Sequence, residues 1–379
     1  MILALFLGFL FHGLQAATLK LPAILGDHMV LQQNAFARIW GWTEPSGRVT
    51  VTTSWNGKVY TTSADKTGNW QVKVLTGQAG GPYTVTIQGD ITLVLKDVLL
   101  GELWICSGQS NMEWPLSRAE TAETEIPQAD FPDIRLFTVK KHIAPRPLED
   151  VTGTWEACTP ESVEGFSAVG YFFGKELHKE LGVPVGLVNT SWGGTPSESW
   201  TSRQMLSTFG DFDAQLMDLY NSSNQEVIEA EEEVASMEAE KASQWNSHTP
   251  SVLYNGMLHP LRNLAIRGAI WYQGESNQER AMQYRTIFPG MIQDWRDTWN
   301  QGDFPFYFVQ LAPYRYANEY TSAELREAQF LTLSKLRNTG MAVTLDIGNP
   351  EDIHPTNKRD VGKRLALWAL ARDYGEDLV

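Results

Sequence analysis

Short apolar runs alternate with helical patterns over most of this chain, and this alternation constrains the fold more than any other feature. From about residue 101 the runs have the length of buried strands. They are Leu103–Cys106, Ile134–Val139, Val185–Asn189, Ala269–Tyr272, Phe306–Leu311 and Met341–Ile347. Between them, residues 168–181 place apolar side chains on one helical face, and a last helix is expected after Pro355. Strands that alternate with helices predict an α/β fold with a mostly parallel sheet.

The first hundred residues follow a different pattern. Alternating runs such as Val49–Ser54, Val59–Ser63 and Tyr83–Gln88 are separated by turn residues, without an amphipathic helix pattern. Residues 18–100 are therefore predicted to form a small β-sandwich domain, and residues 101–379 an α/β domain. Within the second domain, the polar and acidic stretch of about 202–250 carries no strand signal, so we expect a helical insertion there.

The chain opens with a short apolar segment from Ile2 to Leu14, and small residues follow it. This pattern is typical of a signal peptide over residues 1–17, and the segment is too short for a stable membrane span. We therefore expect an exported protein, secreted or periplasmic, with no integral membrane span after cleavage. Export would permit a disulfide between Cys106 and Cys158, but two buried free thiols are an equally good interpretation.

The overall charge limits the class of partner. The formal net charge is −15, which repels phosphate backbones and argues against nucleic acid as a partner. Part of this charge comes from one run, Glu226 to Glu240, which we interpret as a solvated helix face. The chain also has 14 Trp residues, whose rings stack well on sugars but equally fill protein cores.

Polar, glycine-containing segments follow four of the predicted strands. In open parallel sheets, ligands bind beyond the carboxyl ends of the strands, so these segments are expected to meet in one crevice. They are Ser107–Asn111, Thr190–Thr195, Gln273–Ser276 and Asp352–Pro355.

Ser110 is the candidate nucleophile of this crevice, because it follows a strand and a glycine at the start of a predicted helix. Met112 stands where a Gly-x-Ser-x-Gly elbow has its second glycine, which argues against an α/β-hydrolase. The serine needs a base, and His354 is the candidate because Asp352 lies beside it in a loop after a predicted strand. His259 is the second choice, although a structural role suits it better.

Several groups are candidate donors for an oxyanion hole. The backbone N–H groups of Gly193 and Gly194 are unobstructed by side chains, Ser110 offers its own N–H, and Gln273 offers an amide. Glu275 is predicted to support the loops by hydrogen bonding rather than to act in catalysis. The sequence has no HExxH motif and no Walker loop, so we expect neither a metal ion nor another cofactor.

Four segments of this chain resemble the conserved blocks of sialate O-acetylesterases, which are SGNH hydrolases related to acetylxylan esterases. The segments read SGQSNM from Ser107, WGGT from Trp192, WYQGE from Trp271 and DIHP from Asp352, and LGDHMVLQ from Leu25 also resembles the opening β-segment of this family. The resemblance implies a flavodoxin-like, three-layer SGNH domain and a metal-free serine esterase. It also implies Ser110 as nucleophile, His354 as base, and Gly193 or Gly194 with Gln273 as oxyanion donors.

The last block departs from the usual SGNH pattern. The usual pattern has Asp three residues before the histidine, but here Glu351 occupies that position and Asp352 lies two before. We therefore predict Asp352 as the third triad member, then Glu351, and keep a Ser–His dyad as an alternative. Asn111 and Glu275 belong to the matching segments and are expected to support the site.

The predicted function is deacetylation of an O-acetylated sugar through an acetyl-enzyme, with sialic acid as the first choice of substrate. Acetylated plant polysaccharide such as xylan is the alternative within the esterases. A sialic acid site needs a cation for the carboxylate, and Arg118, Arg262 and Arg315 are candidates without a known position. A non-catalytic carbohydrate-binding protein and a lipase or thioesterase remain alternatives of other classes.

Overall fold

The structure is a computed structural model, and it describes residues 18–222, 245–318 and 320–377. The strands of these residues are β1 (Val30–Gln32), β2 (Phe36–Trp42), β3 (Arg48–Thr53), β4 (Val59–Ser63), β5 (Asn69–Leu75), β6 (Gly80–Gln88), β7 (Thr92–Gly108), β8 (Phe131–Thr138), β9 (Trp155–Cys158), β10 (Val185–Ser191), β11 (Gly268–Tyr272), β12 (Phe306–Val309) and β13 (Thr339–Ala342). The α-helices are α1 (Ser110–Glu113), α2 (Ala122–Glu125), α3 (Pro160–Glu164), α4 (Ala168–Leu181), α5 (Arg203–Leu206), α6 (Asp213–Ser222), α7 (Ala281–Trp299), α8 (Thr321–Lys335) and α9 (Lys358–Asp373).

A mostly parallel sheet forms the centre of the molecule, in the order β13-β12-β11-β7-β10-β8-β9. The first six strands of this order run parallel, and β9 pairs antiparallel with β8 at the edge. The prediction of an α/β fold with a mostly parallel sheet is confirmed. Every residue of β10, β11 and β12 is buried, as expected for strands covered on both faces.

Helices cover both faces of this sheet. Because successive strand residues point to opposite faces, neighbours along a strand enter different cores. Trp271 belongs to one core, with side chains of α7, while Ile270 belongs to the other, with side chains of α4 and α9. The sheet thus lies between two apolar layers.

Strand β7 connects the N-terminal strands with the central sheet. Its first half pairs with β6 and β1, and its second half pairs with β10 and β11. Strand β3 pairs with β4 and β6, while β2 and β5 form a separate antiparallel pair. A separate β-sandwich over residues 18–100 stays a prediction, because β7 runs without interruption through the expected boundary.

One predicted strand is shorter in the structure, and two predicted segments lie partly or wholly outside the described residues. The strand expected at Met341–Ile347 ends at Ala342, and Val343 and Leu345 are exposed, so their apolar character does not mark a buried strand. The loop that leads to His354 is correspondingly longer. Of the predicted insertion, α5 and α6 are observed, whereas the acidic run from Glu226 lies outside the described residues, as does the predicted signal peptide at 1–17.

Cys106 and Cys158 are both buried, free thiols. Burial raises the pKa of Cys158 to about 12, so this thiol stays protonated at neutral pH. Across the described ranges, no helix combines the length and apolar character needed to cross a bilayer.

Candidate active site

The ends of three neighbouring strands coincide at one point of the sheet. Gly108 at the end of β7 is the register partner of both Ser191 on β10 and Tyr272 on β11. A Cβ atom on Gly108 would lie 2.1 Å from the carbonyl oxygen of Tyr272, and the φ of Gly108 is +139°. Only glycine fits here, because it permits both the close approach and this backbone conformation. The chain after Gly108 therefore leaves the sheet between two other loops.

Ser110 begins α1 two residues beyond this point, and its side chain meets His354. The distance between Ser110 Oγ and His354 Nε2 is 2.8 Å, a hydrogen-bonding distance. In the tautomer with a proton on Nδ1, Nε2 accepts the hydrogen bond that the Ser110 hydroxyl donates. Helix α1 has only one turn, so the expected helix dipole contributes little at Ser110.

The imidazole of His354 is held by an aromatic ring. Trp114 stacks on it with 5.0 Å between ring centroids and an interplanar angle of 25°. Partial burial and the positive charges of Lys358 and Arg118 lower the pKa of His354, although the charge of Asp352 opposes them. The ring is thus neutral at neutral pH, which is the state that a general base needs.

Neither acidic candidate bonds to this ring. Asp352 Oδ1 accepts a hydrogen bond of 2.8 Å from the backbone N–H of His354, not from Nδ1. Glu351 forms an exposed ion pair of 2.7 Å with Arg315. The predicted triad geometry is therefore absent within the described residues, because the two-residue spacing turns the carboxylate back onto its own loop.

The oxyanion donors are arranged differently from the prediction. The N–H of Gly193 donates to Glu113 Oε2 at 2.5 Å, so a carboxylate occupies it in this state. Gly194 follows with a φ of +79°, and nothing lies within 4 Å of the Cβ position it lacks. Gly193 itself is close to the nucleophile, since its Cβ position lies 3.3 Å from Ser110 Cβ.

Gln273 forms hydrogen bonds with groups other than Ser110, and its role as an oxyanion donor stays a prediction. Its Nε2 donates to Thr195 O at 3.3 Å and to Asn277 Oδ1 at 2.6 Å. Its Oε1 accepts a hydrogen bond of 3.0 Å from the hydroxyl of Tyr284. The side chain is fully buried, and its amide hydrogen-bonds within and around the β11 loop, the segment Gln273–Ser276 after strand β11.

A buried polar cluster lies beneath the serine and the histidine. Asn111 Nδ2 donates to Glu275 Oε1 at 2.6 Å and to the carbonyl oxygen of Ile353 at 3.0 Å. Lys358 Nζ donates to Asn111 Oδ1. Burial raises the pKa of Glu275 and lowers that of Lys358 to about 7. Asn111 and Glu275 thus have the supporting contacts that were expected of them.

An open cleft of about 540 Å³ leads to Ser110 and His354. Arg118, Lys140 and Lys141 lie on its wall, and Lys141 pairs with Glu113 at 2.6 Å. The two other arginine candidates lie elsewhere: Arg262 pairs with Glu149, and Arg315 pairs with Glu351. Arg118 is the one of the three that the fold brings to the cleft.

The remaining histidine candidate has a structural contact. Nδ1 of His259 lies 2.9 Å from the carbonyl oxygen of Leu148, and burial lowers its pKa. It is not among the residues that line the cleft of Ser110. This agrees with the structural role preferred for His259.

Sequence reasoning missed Glu113, Trp114 and Lys358. Glu113 and Trp114 follow Ser110 by three and four residues. Their position in the crevice could therefore have been inferred from their closeness to Ser110 in the sequence. Lys358 is separated from its partner Asn111 by 247 residues. Its local pattern is that of an ordinary helix start, and only tertiary contacts single it out.

Comparison with known proteins identifies a family model and several relatives that match this chain. The family model for "carbohydrate esterase, sialic acid-specific acetylesterase" matches residues 100–239 and 234–371. Mouse sialate O-acetylesterase is 33% identical over 94% of this chain and 74% of its own length, and the human enzyme is 32% identical over 94% and 71%. A carbohydrate acetylesterase from Xanthomonas citri superimposes with a TM-score of 0.82 at 40% identity, covering 95% of this chain and 76% of that one.

The family-model matches cover the strands of the central sheet and the segments that carry Ser110 and His354. The chain spans about three quarters of the length of these relatives. The chain belongs to the sialic acid-specific acetylesterase family of carbohydrate esterases, and it is a carboxylic ester hydrolase.

Proposed function

We propose that this protein is a serine-dependent carbohydrate O-acetylesterase that removes acetyl groups from sialic acids. The observation that carries the proposal is the 2.8 Å contact between Ser110 Oγ and His354 Nε2 at the carboxyl edge of the parallel sheet. A neutral imidazole in this position can take the proton of the hydroxyl as the oxygen attacks a carbonyl carbon.

In the proposed mechanism, Ser110 Oγ bonds to the acetyl carbon and its proton moves to His354. The tetrahedral intermediate then collapses, and His354 gives this proton to the leaving sugar oxygen. Water attacks the acetyl-enzyme by the same sequence and releases acetate, which regenerates the serine. Stacking on Trp114 holds the imidazole, and the Asp352 carboxylate fixes the loop through the His354 backbone. This corresponds to a Ser–His dyad rather than a full triad.

The oxyanion of the intermediate is proposed to bind the backbone N–H groups of Ser110 and Gly194. The N–H of Gly193 becomes a third donor when the Glu113 carboxylate no longer accepts its hydrogen bond. The carboxylate then keeps its ion pair with the ammonium of Lys141. Each such donor is worth on the order of 10²- to 10³-fold in rate.

The charge of the cleft favours an anionic sugar. Arg118 and Lys140 form no ion pair with any carboxylate of the described residues, so both can receive a ligand carboxylate. The carboxylate of sialic acid matches such a cation, whereas xylan is neutral. Acetylated plant polysaccharide stays the second candidate, because a shallow open cleft also admits a polymer.

The alternatives of other classes predict different geometry. A non-catalytic sugar-binding protein needs no contact between Ser110 and His354, and a lipase needs an apolar acyl tunnel in place of a cleft walled by charged side chains. Both fit the structure less well than an acetylesterase.

The test is acetate release from 4-nitrophenyl acetate, O-acetylated sialic acid and acetylated xylan by wild type and Ser110→Ala. We expect the variant to lose about 10³-fold or more in kcat on every accepted substrate. Ser191→Ala is the matched control, because this serine lines the cleft but bonds to Asn189. An unchanged rate in Ser110→Ala would overturn the mechanism, and hydrolysis of xylan without hydrolysis of the sialate ester would move the substrate to plant glycans.

Export and the role of the N-terminal strands also stay proposals. We propose that the protein is exported after cleavage near Ala17, which N-terminal sequencing of the mature protein would test. We propose that the N-terminal strands form a small sandwich that braces the catalytic part rather than binding glycan. The hydrogen bond from Trp155 Nε1 to Ile24 O, at 2.9 Å, supports this bracing role.

A further inference from the structure

Lys358 occupies a position that is unfavourable for a lysine. Its side chain is 1% exposed, and it is the first residue of helix α9. Burial of an ammonium group costs free energy, and the positive end of the helix dipole adds to that cost. A lysine at this position therefore requires contacts that a leucine or methionine could not supply.

Two contacts of Lys358 lead to the candidate catalytic groups, and its Nζ also lies 5.5 Å from the centroid of the Tyr272 ring at the end of β11. Its Nζ donates to Asn111 Oδ1, and it lies 5.4 Å from the centroid of the Trp114 ring, which stacks on His354. Asn111 follows Ser110 directly, and its Nδ2 binds the carbonyl oxygen of Ile353, the residue before His354. The side-chain amide of Asn111 therefore connects the helical turn that carries Ser110 with the loop that carries His354.

We propose that Lys358 is a positioning residue for the esterase reaction, which acts through Asn111 to hold the Ser110 hydroxyl and the His354 imidazole at bonding distance. This inference rests on the proposed serine mechanism. With Oδ1 fixed by Lys358, the amide of Asn111 cannot flip, so Nδ2 stays directed at Ile353 O and Glu275 Oε1. The lysine thereby fixes the orientation of the Asn111 amide.

The charge of Lys358 has a second consequence for the base. Its pKa is lowered by burial to about 7, so the ammonium is present over the pH range in which His354 is protonated. A nearby cation disfavours a second positive charge on the imidazole. Removing Lys358 should therefore raise the pKa of His354 and move the acid limb of kcat/KM to higher pH.

Other charged groups around His354 have to be held constant in this test. Asp352 lies on the same loop and Arg118 on the cleft wall, and both act on the pKa of His354. Glu113 lies across the cleft and pairs with Lys141, while Glu275 faces Lys358 from the β11 loop. None of these is altered in the variants below.

The experiment compares Lys358→Met and Lys358→Gln with wild type, with Lys363→Met as the control. Lys363 is exposed on the same helix, so its loss should leave kcat and the pH profile unchanged. For Lys358→Met we expect kcat on 4-nitrophenyl acetate to fall about 10²-fold with little change in KM, since small misplacements of reacting groups cost this much. The acid limb should move up by roughly half a pH unit or more.

Lys358→Gln separates the hydrogen bond from the charge and serves if the methionine variant does not fold. It keeps an N–H donor for Asn111 Oδ1, so it should recover part of kcat while showing the same shift of the acid limb. A purely structural role would lower stability in both variants without moving the pH profile.

A double-mutant cycle tests the route through Asn111. If Lys358 acts through this amide, Asn111→Ala combined with Lys358→Met should lose little more than Asn111→Ala alone. Additive losses, or a wild-type kcat and acid limb in folded Lys358→Met, would overturn the inference. Failure of the serine mechanism is recognised separately, because then Ser110→Ala keeps the wild-type rate.

Discussion

At the scale of single residues, the environment of Arg118 bears on the choice of substrate. Its guanidinium lies 3.9 Å from the centroid of the Trp114 ring, on the wall of the cleft that contains Ser110. The ring fixes the direction of the guanidinium while its N–H donors stay open to the cleft. A sugar carboxylate bound there would place the rest of the sugar beside the nucleophile.

We predict that Arg118→Ala raises KM for O-acetylated sialic acid about 10-fold or more, because a hydrogen bond to a charged group contributes about 1.5–3 kcal/mol. Initial rates on the sialate ester and on 4-nitrophenyl acetate would measure this. The aryl ester has no carboxylate, so its KM should change little.

Arg372→Ala is the matched control for that substitution. Arg372 also lies over a tryptophan ring, at 5.6 Å from that of Trp368, but outside the cleft. Equal changes of KM on both substrates in Arg118→Ala would show that the residue supports Trp114 rather than binding the sugar carboxylate.

At the scale of secondary structure elements, the end of β7 determines where the nucleophile lies. Strand β7 is 17 residues long, and its last residues pair with β10 on one side and β11 on the other. Gly108 is the point at which the chain leaves this pairing with a positive φ. The position of Ser110 therefore depends on one residue that has no side chain.

We predict that Gly108→Ala lowers the free energy of unfolding by about 3 kcal/mol or more, because the added Cβ overlaps a backbone carbonyl and the positive φ is strained. Chemical denaturation would measure this. Gly165→Ala is the control, since nothing lies within 4 Å of its Cβ position and its φ is −88°. That control should change stability by about 0.5 kcal/mol or less. Equal stability of the two variants would contradict this account of the strand end.

At the scale of the whole molecule, the N-terminal strands and the central sheet share one apolar core. Val49, Ile87 and Leu100 belong to the same cluster of buried side chains as Trp271 and Phe306. Arg135 on β8 adds polar contacts across this junction: it donates to Asp97 Oδ2 at 2.7 Å and to His28 O at 3.2 Å. A shared strand and a shared core couple the folding of both parts.

We predict a single cooperative thermal transition, with a calorimetric enthalpy equal to the van't Hoff enthalpy. Arg135→Met should lower the Tm of that one transition, because the variant removes hydrogen bonds to partly buried or exposed acceptors, each worth about 0.5–1.5 kcal/mol. Arg48→Met, at an exposed position of β3, is the control. Two resolved transitions in wild type would show instead that the parts fold independently.

The same ion pair gives the direction of a pH effect on stability. Burial alone would raise the pKa of Asp97, but hydrogen bonds from Arg135 and His28 outweigh it and lower the pKa below its usual value. A carboxyl with a lowered pKa stabilises the fold above its unfolded pKa, and the contribution is lost as the pH falls through the folded value. Arg135→Met should weaken this loss of stability in acid.

Local patterns in the sequence predicted most strands of the central sheet, the helix Ala168–Leu181 and the segments that carry Ser110 and His354, although the last strand ends earlier than its apolar run. These features follow from hydrophobic periodicity and from the rule that parallel strands end at one edge, which depend on neighbours along the chain. The resemblance to a known family identified the same two residues from the motifs themselves.

Side-chain partners were decided by the tertiary structure alone. The two-residue spacing did not reveal that Asp352 would bind the backbone N–H of His354 rather than its ring, and the glycines did not reveal that Glu113 would occupy the N–H of Gly193. Gln273 and Lys358 show the same limit, since their partners are chosen by differences of about an ångström between groups far apart in sequence. A pattern in the chain specifies which residues reach the site, but only the packed fold fixes which atoms they bind there.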